Sequence, residues 1–264
     1  MSNPQDEREV LYPSRDGLTL RATCKSAEGA SRGGGVLAHG ITGDREQGGL
    51  YSELAARLAR RGLGSLRFDF RGHGQSGGAQ EAITVAGEVS DLAASVDWLH
   101  AHQPAPLCIV ASSFGAVSAC QYVAQSDGIA CLVLLNPVLD LRRTFLEPEV
   151  LWPKQSFNAA GFEHLEEHGF LWLDGHFKIG RALVDEMRTC APYQQLARLE
   201  IPVLTLHGDE DTCVPHAVSQ LHGVPNPRSR FVTIPGADHG FGRPHERELV
   251  LASIMDFLSE HLPA

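Results

Sequence analysis

Apolar residues in this chain gather in short dense runs rather than in strict alternation with polar ones. Gly35 to Ala38, Leu63 to Phe68, Leu107 to Ala111, Ala130 to Leu135, Ile201 to Leu206 and Ser229 to Ile234 are such runs. Runs of this length without a period of two predict strands buried on both faces of a sheet. Between them, apolar residues fall at helical spacing. Leu50 to Arg61 places Leu50, Leu54, Ala55 and Leu58 on one face, and Gly62 stops it. Val85 to Leu99, Ala116 to Ala124 and Leu249 to Leu262 predict further helices. Residues 8–13 and 18–24 predict two strands around the turn at Asp16-Gly17. Gly33 to Gly35 reads as a flexible joint. Strands alternating with helices predict an α/β protein, with a mostly parallel sheet and helices on both faces.

Residues 138–200 break that rhythm. They hold Trp152, Phe157, Phe162, Phe170, Trp172 and Phe177 with scattered Pro and Gly, and no clear strand–helix unit. The segment reads as a small inserted cap, dividing the chain into a core of 1–137 and 201–264 and a cap of 138–200. Ligands in open α/β sheets bind over the carboxyl ends of the strands. Trp152, Phe162 and Trp172 are therefore the cap's candidate substrate contacts. The competing reading is an extra packed layer with no binding role.

Leu107 to Ala124 carries the strongest chemical signal. An apolar strand runs into small residues and then into a helix, with a serine at the turn. This is the layout of a nucleophile elbow, in which a strained turn lifts a hydroxyl above the sheet. The turn requires small residues two positions either side of the nucleophile. Ser113 has Ala111 and Gly115 there, whereas Ser112 has Val110 and Phe114. Ser113 is thus the candidate nucleophile, in a G-x-S-x-G pattern whose first glycine is alanine.

An acyl-transfer serine needs a base, an orienting acid and donors for an oxyanion. The loop after the strand at 201–206 offers Asp211, with Asp209 as the fallback. A turn merely rich in Asp is the competing reading. His239 follows the last strand between glycines, as the base. The order Ser113, Asp211, His239 is that of one fold family. His39-Gly40-Ile41 ends an early strand, where a glycine lets backbone approach closely. The N–H groups of Ile41 and Phe114 are the candidate oxyanion hole.

Composition narrows the classes. The formal charge of -10 on 264 residues, with no basic run, argues against nucleic acid as a partner. No apolar stretch approaches the roughly 18 residues of a membrane span, and no membrane partner is expected. The opening MSNPQDEREV is polar, without an apolar signal core. The six cysteines are widely spaced and form no C-x-x-C. Reduced thiols in a cytoplasmic protein are the simplest reading. A homodimer is compatible with the sequence.

His39-Gly40, Asp69-Phe70-Arg71-Gly72-His73-Gly74-Gln75-Ser76, the elbow at 111–115, His207-Gly208 with Asp211 and Val214-Pro215, and Asp238-His239 together resemble the α/β-hydrolase superfamily over nearly the whole chain. The short cap looks like that of cinnamoyl and feruloyl esterases. A second resemblance is to the acyl-ACP thioesterases of bacterial bioluminescence, carried by the triad spacing and by Leu139 to Thr144. Those enzymes also lack the first elbow glycine. The resemblance implies a serine hydrolase acting on a small-molecule ester or, alternatively, a thioester, with hydrolysis or acyl transfer as the outcome. It implies no metal and no cofactor. It makes Asp69 and His73 structural. A serine peptidase, a carbon–carbon bond hydrolase and a non-catalytic ligand binder share the scaffold. One motif points elsewhere: His164-Leu165-Glu166-Glu167-His168 fits H-x-x-E-H of some zinc peptidases, but Gly169 leaves it little helix, and a solvated polar helix is the expectation.

Overall fold

The computed structural model describes residues 7–103 and 106–262. Residues 1–6 of the polar opening, and the last two residues of the core range, lie outside it. The elements in chain order are β1 (Glu7–Pro13), β2 (Thr19–Lys25), β3 (Gly33–Ala38), α1 (Leu50–Arg60), β4 (Leu63–Phe68), α2 (Val85–His102), β5 (Leu107–Ser112), α3 (Gly115–Val123) and β6 (Ile129–Leu135). Then come α4 (Leu151–Lys154), α5 (Ala159–His168), β7 (Phe170–Leu173), β8 (Phe177–Gly180), α6 (Arg181–Met187) and α7 (Pro192–Leu196). The chain closes with β9 (Val203–Gly208), α8 (His216–His222), β10 (Arg230–Ile234) and α9 (Pro244–His261).

Eight strands form one sheet in the order β1-β2-β4-β3-β5-β6-β9-β10. β1 and β2 are antiparallel to their neighbours, and every pairing from β4 to β10 is parallel. It is the arrangement that the α/β-hydrolase resemblance implies, and a mostly parallel sheet suits the dense apolar runs, which must be buried on both faces. Alternate residues of β5 show why. Ile109 packs with Leu92 and Val96 of α2 and Ala119 of α3 on one face. Val110 packs with Leu54 of α1 and Ile254 of α9 on the other.

The three glycines Gly33 to Gly35 are a correction: they are the buried first half of β3, not a joint. A Cβ on Gly34 would lie 3.1 Å from Leu99, and one on Gly35 would lie 3.1 Å from Cys108 Sγ. Close packing of α2 and β5 on this strand fills the space that side chains would need. α9 also begins five residues earlier than its apolar spacing predicts. Pro244 opens it, and the Glu246 side chain accepts from Arg243 N–H.

Between β6 and β9 the chain forms a π-helical turn at Arg142–Leu146, four short α-helices and the antiparallel pair β7–β8. A third apolar cluster ties this insertion to the strand ends. It joins Ile41, Phe114 and Val214 to Phe145, Phe157, Leu171 and Leu183. No helix among the described residues is long and apolar enough to cross a membrane.

Candidate active site

Ser113 sits where β5 turns into α3, and its φ is +52°. Such a left-handed residue is costly outside glycine and must be held by its surroundings. Backbone bonds hold it on both sides: Ser113 N–H donates to Leu135 O at 2.8 Å, and Val138 N–H donates to Ser113 O at 3.0 Å. The turn then enters the helix directly, with Val117 N–H donating to Phe114 O at 2.9 Å. A Cβ on Gly115 would lie 2.4 Å from His39 O and 2.8 Å from Ala38 O. Position 115 therefore has room only for glycine. Ala111 is a buried strand residue in register with Ala38 and Leu134, which accommodates its methyl group.

The three candidate triad residues meet. Ser113 Oγ lies 2.9 Å from His239 Nε2, and His239 Nδ1 lies 2.7 Å from Asp211 Oδ2. Nδ1 faces a carboxylate and so carries the proton, leaving Nε2 as acceptor for the serine hydroxyl. Asp211 Oδ1 accepts from Cys213 N–H at 2.7 Å and Val214 N–H at 2.9 Å. Burial opposes its ionisation. The charges and hydrogen bonds of His239 and His207 outweigh that, and hold the carboxyl well below the ordinary carboxylate range. Asp209, the fallback, instead caps the next loop by accepting from Gly236 N–H.

The oxyanion candidates sit at the ends of β3 and β5. Neither Ile41 N–H nor Phe114 N–H donates to a protein acceptor among the described residues. Gly40 brings the two together, since a Cβ there would lie 2.7 Å from Ser113 Cβ. His39 fixes that loop: its Nδ1 donates to Gly40 O at 2.8 Å and its Nε2 accepts from Phe70 N–H at 3.0 Å. Burial pushes His39 down to about 4, which keeps the imidazole neutral.

Three supporting residues were not among the expected site residues, although His207-Gly208 was part of the family resemblance. Asn136, fully buried with φ +43°, joins the loops of the acid and the base. Its Nδ2 donates to His239 O at 2.7 Å, and its Oδ1 accepts from Gly208 N–H at 2.9 Å. Gln47 donates to Ser112 Oγ at 3.1 Å and accepts from Gly40 N–H at 3.1 Å. His207 places Nε2 at 3.1 Å from Asp211 Oδ2 and 3.3 Å from Val214 O, so two acceptors fix a proton there. In one dimension only the strand end at Asn136-Pro137 and the His207-Gly208 match touch on any of this. Asp69 is enclosed by Arg45 and Gln75, accepting from Arg45 N–H at 2.7 Å and Gln75 N–H at 2.9 Å. His73 packs on His39 and Phe177.

The three aromatic candidates differ in placement. Trp152 N–H donates to Thr212 O at 3.0 Å, next to Asp211, and its ring packs on the cluster around Phe114. Phe162 ends a row of rings that runs through Phe157 and Phe145 to Phe114. Trp172 is different. It projects from the outer face of β7, 39% exposed, against Phe170 and Lys178. Strand alternation turns Leu171 and Leu173 inward instead. In the H-x-x-E-H segment, His164 and His168 stack at 4.1 Å, and no third ligand converges on them among the described residues.

A family model described as serine aminopeptidase, S33, matches residues 30–167. A monoacylglycerol lipase of Mycolicibacterium smegmatis is 28% identical, over 88% of this chain and 89% of that protein. An uncharacterised protein of Mycobacterium tuberculosis is 27% identical, over 96% of this chain and 79% of its own length. Among solved structures, Est1E of Butyrivibrio proteoclasticus with ferulic acid bound superposes with a TM-score of 0.78 at 25% identity, covering 96% of this chain and 98% of that one. The chain belongs to the serine aminopeptidase S33 family of α/β-hydrolases.

Proposed function

We propose that the protein is a serine hydrolase that cleaves carboxylic esters of small apolar or aromatic acyl groups through an acyl-enzyme on Ser113. The observation that carries this reading is the relay Asp211–His239–Ser113, at 2.7 and 2.9 Å, beside two N–H groups that have no protein acceptor among the described residues. His239 Nε2 takes the hydroxyl proton as Oγ attacks the ester carbonyl. Asp211 stabilises the imidazolium, and the N–H groups of Ile41 and Phe114 receive the oxyanion. His239 then protonates the leaving alcohol, and afterwards activates water to release the acid. No step calls for a metal or a cofactor.

The relatives support the ester reading: one is named for a lipase, and one solved neighbour binds ferulic acid. Trp152 and Phe162 are the better-placed contacts for the acyl group, because both adjoin the Phe114 cluster. A peptidase is the second reading, favoured by the family's own description. The six cysteines are all free, which fits a reducing, cytoplasmic setting. The test is a substrate panel: p-nitrophenyl esters from acetyl to myristoyl, methyl ferulate, an acyl-CoA and an aminoacyl p-nitroanilide. Turnover of short or hydroxycinnamoyl esters is expected. Preference for the acyl-CoA moves the assignment to a thioesterase, and preference for the anilide to a peptidase.

A further inference from the structure

Cys213 takes no part in the relay, yet its thiol adjoins it. Asp211, Cys213 and His239 each offer one ligand atom, and these atoms lie within 4.8 Å of one another. No other set of three such residues converges in this way among the described residues. We propose that this trio is an inhibitory binding site for a thiophilic divalent cation, of which Zn²⁺ is the type, superposed on the catalytic relay. Its inhibitory consequence rests on the proposed role of His239; the binding itself does not.

The donor set is a mixed carboxylate, thiolate and imidazole set, of the kind that tetrahedral zinc accepts. Zinc takes sulfur at about 2.3 Å, and nitrogen and oxygen at about 2.0–2.2 Å, so its donors sit about 3.3–3.8 Å apart. Side-chain adjustment of about an ångström closes the present set on that geometry. Three protein ligands leave the fourth position to water. Mg²⁺ and Ca²⁺ prefer all-oxygen shells and do not match a sulfur and a ring nitrogen.

Orientation and field also favour a cation here. Asp211 Oδ1 is occupied by two backbone N–H groups, which leaves Oδ2 facing His239. His207 steadies the same oxygen from behind. Asp238 and Asp174 add negative charge around Cys213. The Cys213 sulfur lies beside the Asp211 carboxylate, so a thiolate there meets a like charge when no cation is present. A dication between the two reverses the sign of that interaction, and thiolate binding releases one proton to solvent.

Inhibition follows from either ring nitrogen. Metal on Nε2 takes the lone pair that accepts the Ser113 proton. Metal on Nδ1 displaces its proton, and the neutral ring then carries hydrogen on Nε2. The base is lost both ways.

The experiment is a Cd²⁺ titration, Cd²⁺ standing in for Zn²⁺, followed by thiolate-to-cadmium charge-transfer absorption. It is run on wild type, Ser113→Ala, Cys213→Ser and Cys213→Ala. The expected result is a one-equivalent band in wild type and Ser113→Ala that is missing from both Cys213 variants. In parallel, Zn²⁺ inhibits ester turnover reversibly on adding a chelator, with a half-inhibiting concentration at least about tenfold higher in Cys213→Ser. No band in wild type, an equal band in the Cys213 variants, or equal zinc sensitivity overturns the proposal. The titration needs no turnover. A protein silent on every substrate would therefore sink the hydrolase reading while this site was still decided.

Discussion

Ser113 combines a strained backbone with a crowded neighbourhood, and both features bear on reactivity. Its left-handed conformation aims Oγ at His239, and only 6% of the residue is exposed. Replacing it with alanine removes the proposed nucleophile and leaves the packing intact. Ser113→Ala is expected to lower kcat by about three or more orders of magnitude with an unchanged melting temperature, measured by ester hydrolysis and thermal unfolding. Gly40 is the sharper test of geometry. An alanine there brings a methyl to 2.7 Å from Ser113 Cβ and 3.3 Å from Oγ. Displacing the serine by a fraction of an ångström toward a bad angle is expected to cost about 10²-fold in kcat, with KM much less affected. Wild-type turnover by Gly40→Ala would mean that this loop does not position the nucleophile. The three residues of the relay were legible in one dimension, because each follows a predicted strand and the elbow tolerates only small neighbours. Asn136 and Gln47 were not, and His207 was legible only as part of the His207-Gly208 match, without its bond to Asp211. Their partners are scattered along the chain, and a buried amide or imidazole leaves no periodic trace.

Between elements, the acid and base loops stay in register through Asn136. This residue follows β6, donates to the β10–α9 loop at His239 O and accepts from the end of β9 at Gly208. Asn136→Gly keeps the left-handed backbone at no steric cost and removes only the side-chain clamp. It is expected to lower kcat/KM about ten- to a hundredfold. Asn136→Ala adds backbone strain of about 1–3 kcal/mol and is expected to lower thermal stability further. Unaltered kinetics in the glycine variant would show the clamp to be idle. Long elements with dense apolar runs were readable, from β4 through β6 and in α1 and α2. Glycine content hid the start of β3, whose side chains are replaced by the close approach of α2 and β5. The four-residue strands β7 and β8 are too short for any period to appear. The seven-residue α8 passed unread after the Pro215 turn for the same reason.

Across the whole molecule, buried titratable groups set opposing pH limits on stability. Glu88 of α2 is 1% exposed and accepts from Ser118 Oγ of α3 at 3.0 Å. Burial pushes its carboxyl up to about 8, against an ordinary 4.5. Between those values the folded protein holds a proton that the unfolded chain has lost, so stability falls as pH rises through that window. Glu88→Gln is expected to melt above wild type at pH near 8.5 and close to it near pH 5; a pH-independent gap would contradict the account. His39 acts at the other limit. Its folded value of about 4 lies below the ordinary 6.5, so stability is lost as pH falls through that range. The mostly parallel sheet with helices on both faces was legible in the dense apolar runs, whereas the strand order was not, because such a run does not say which strand it pairs with. The packing of the insertion on Ile41 and Phe114 emerges only in three dimensions. The most direct test of the central claim is the intact mass of the protein after reaction with a fluorophosphonate. One adduct per chain is predicted, located on Ser113, lost in Ser113→Ala and formed about a hundredfold or more slowly in His239→Ala. An unmodified wild-type protein, or an undiminished adduct in Ser113→Ala, would contradict the assignment of Ser113 as the nucleophile.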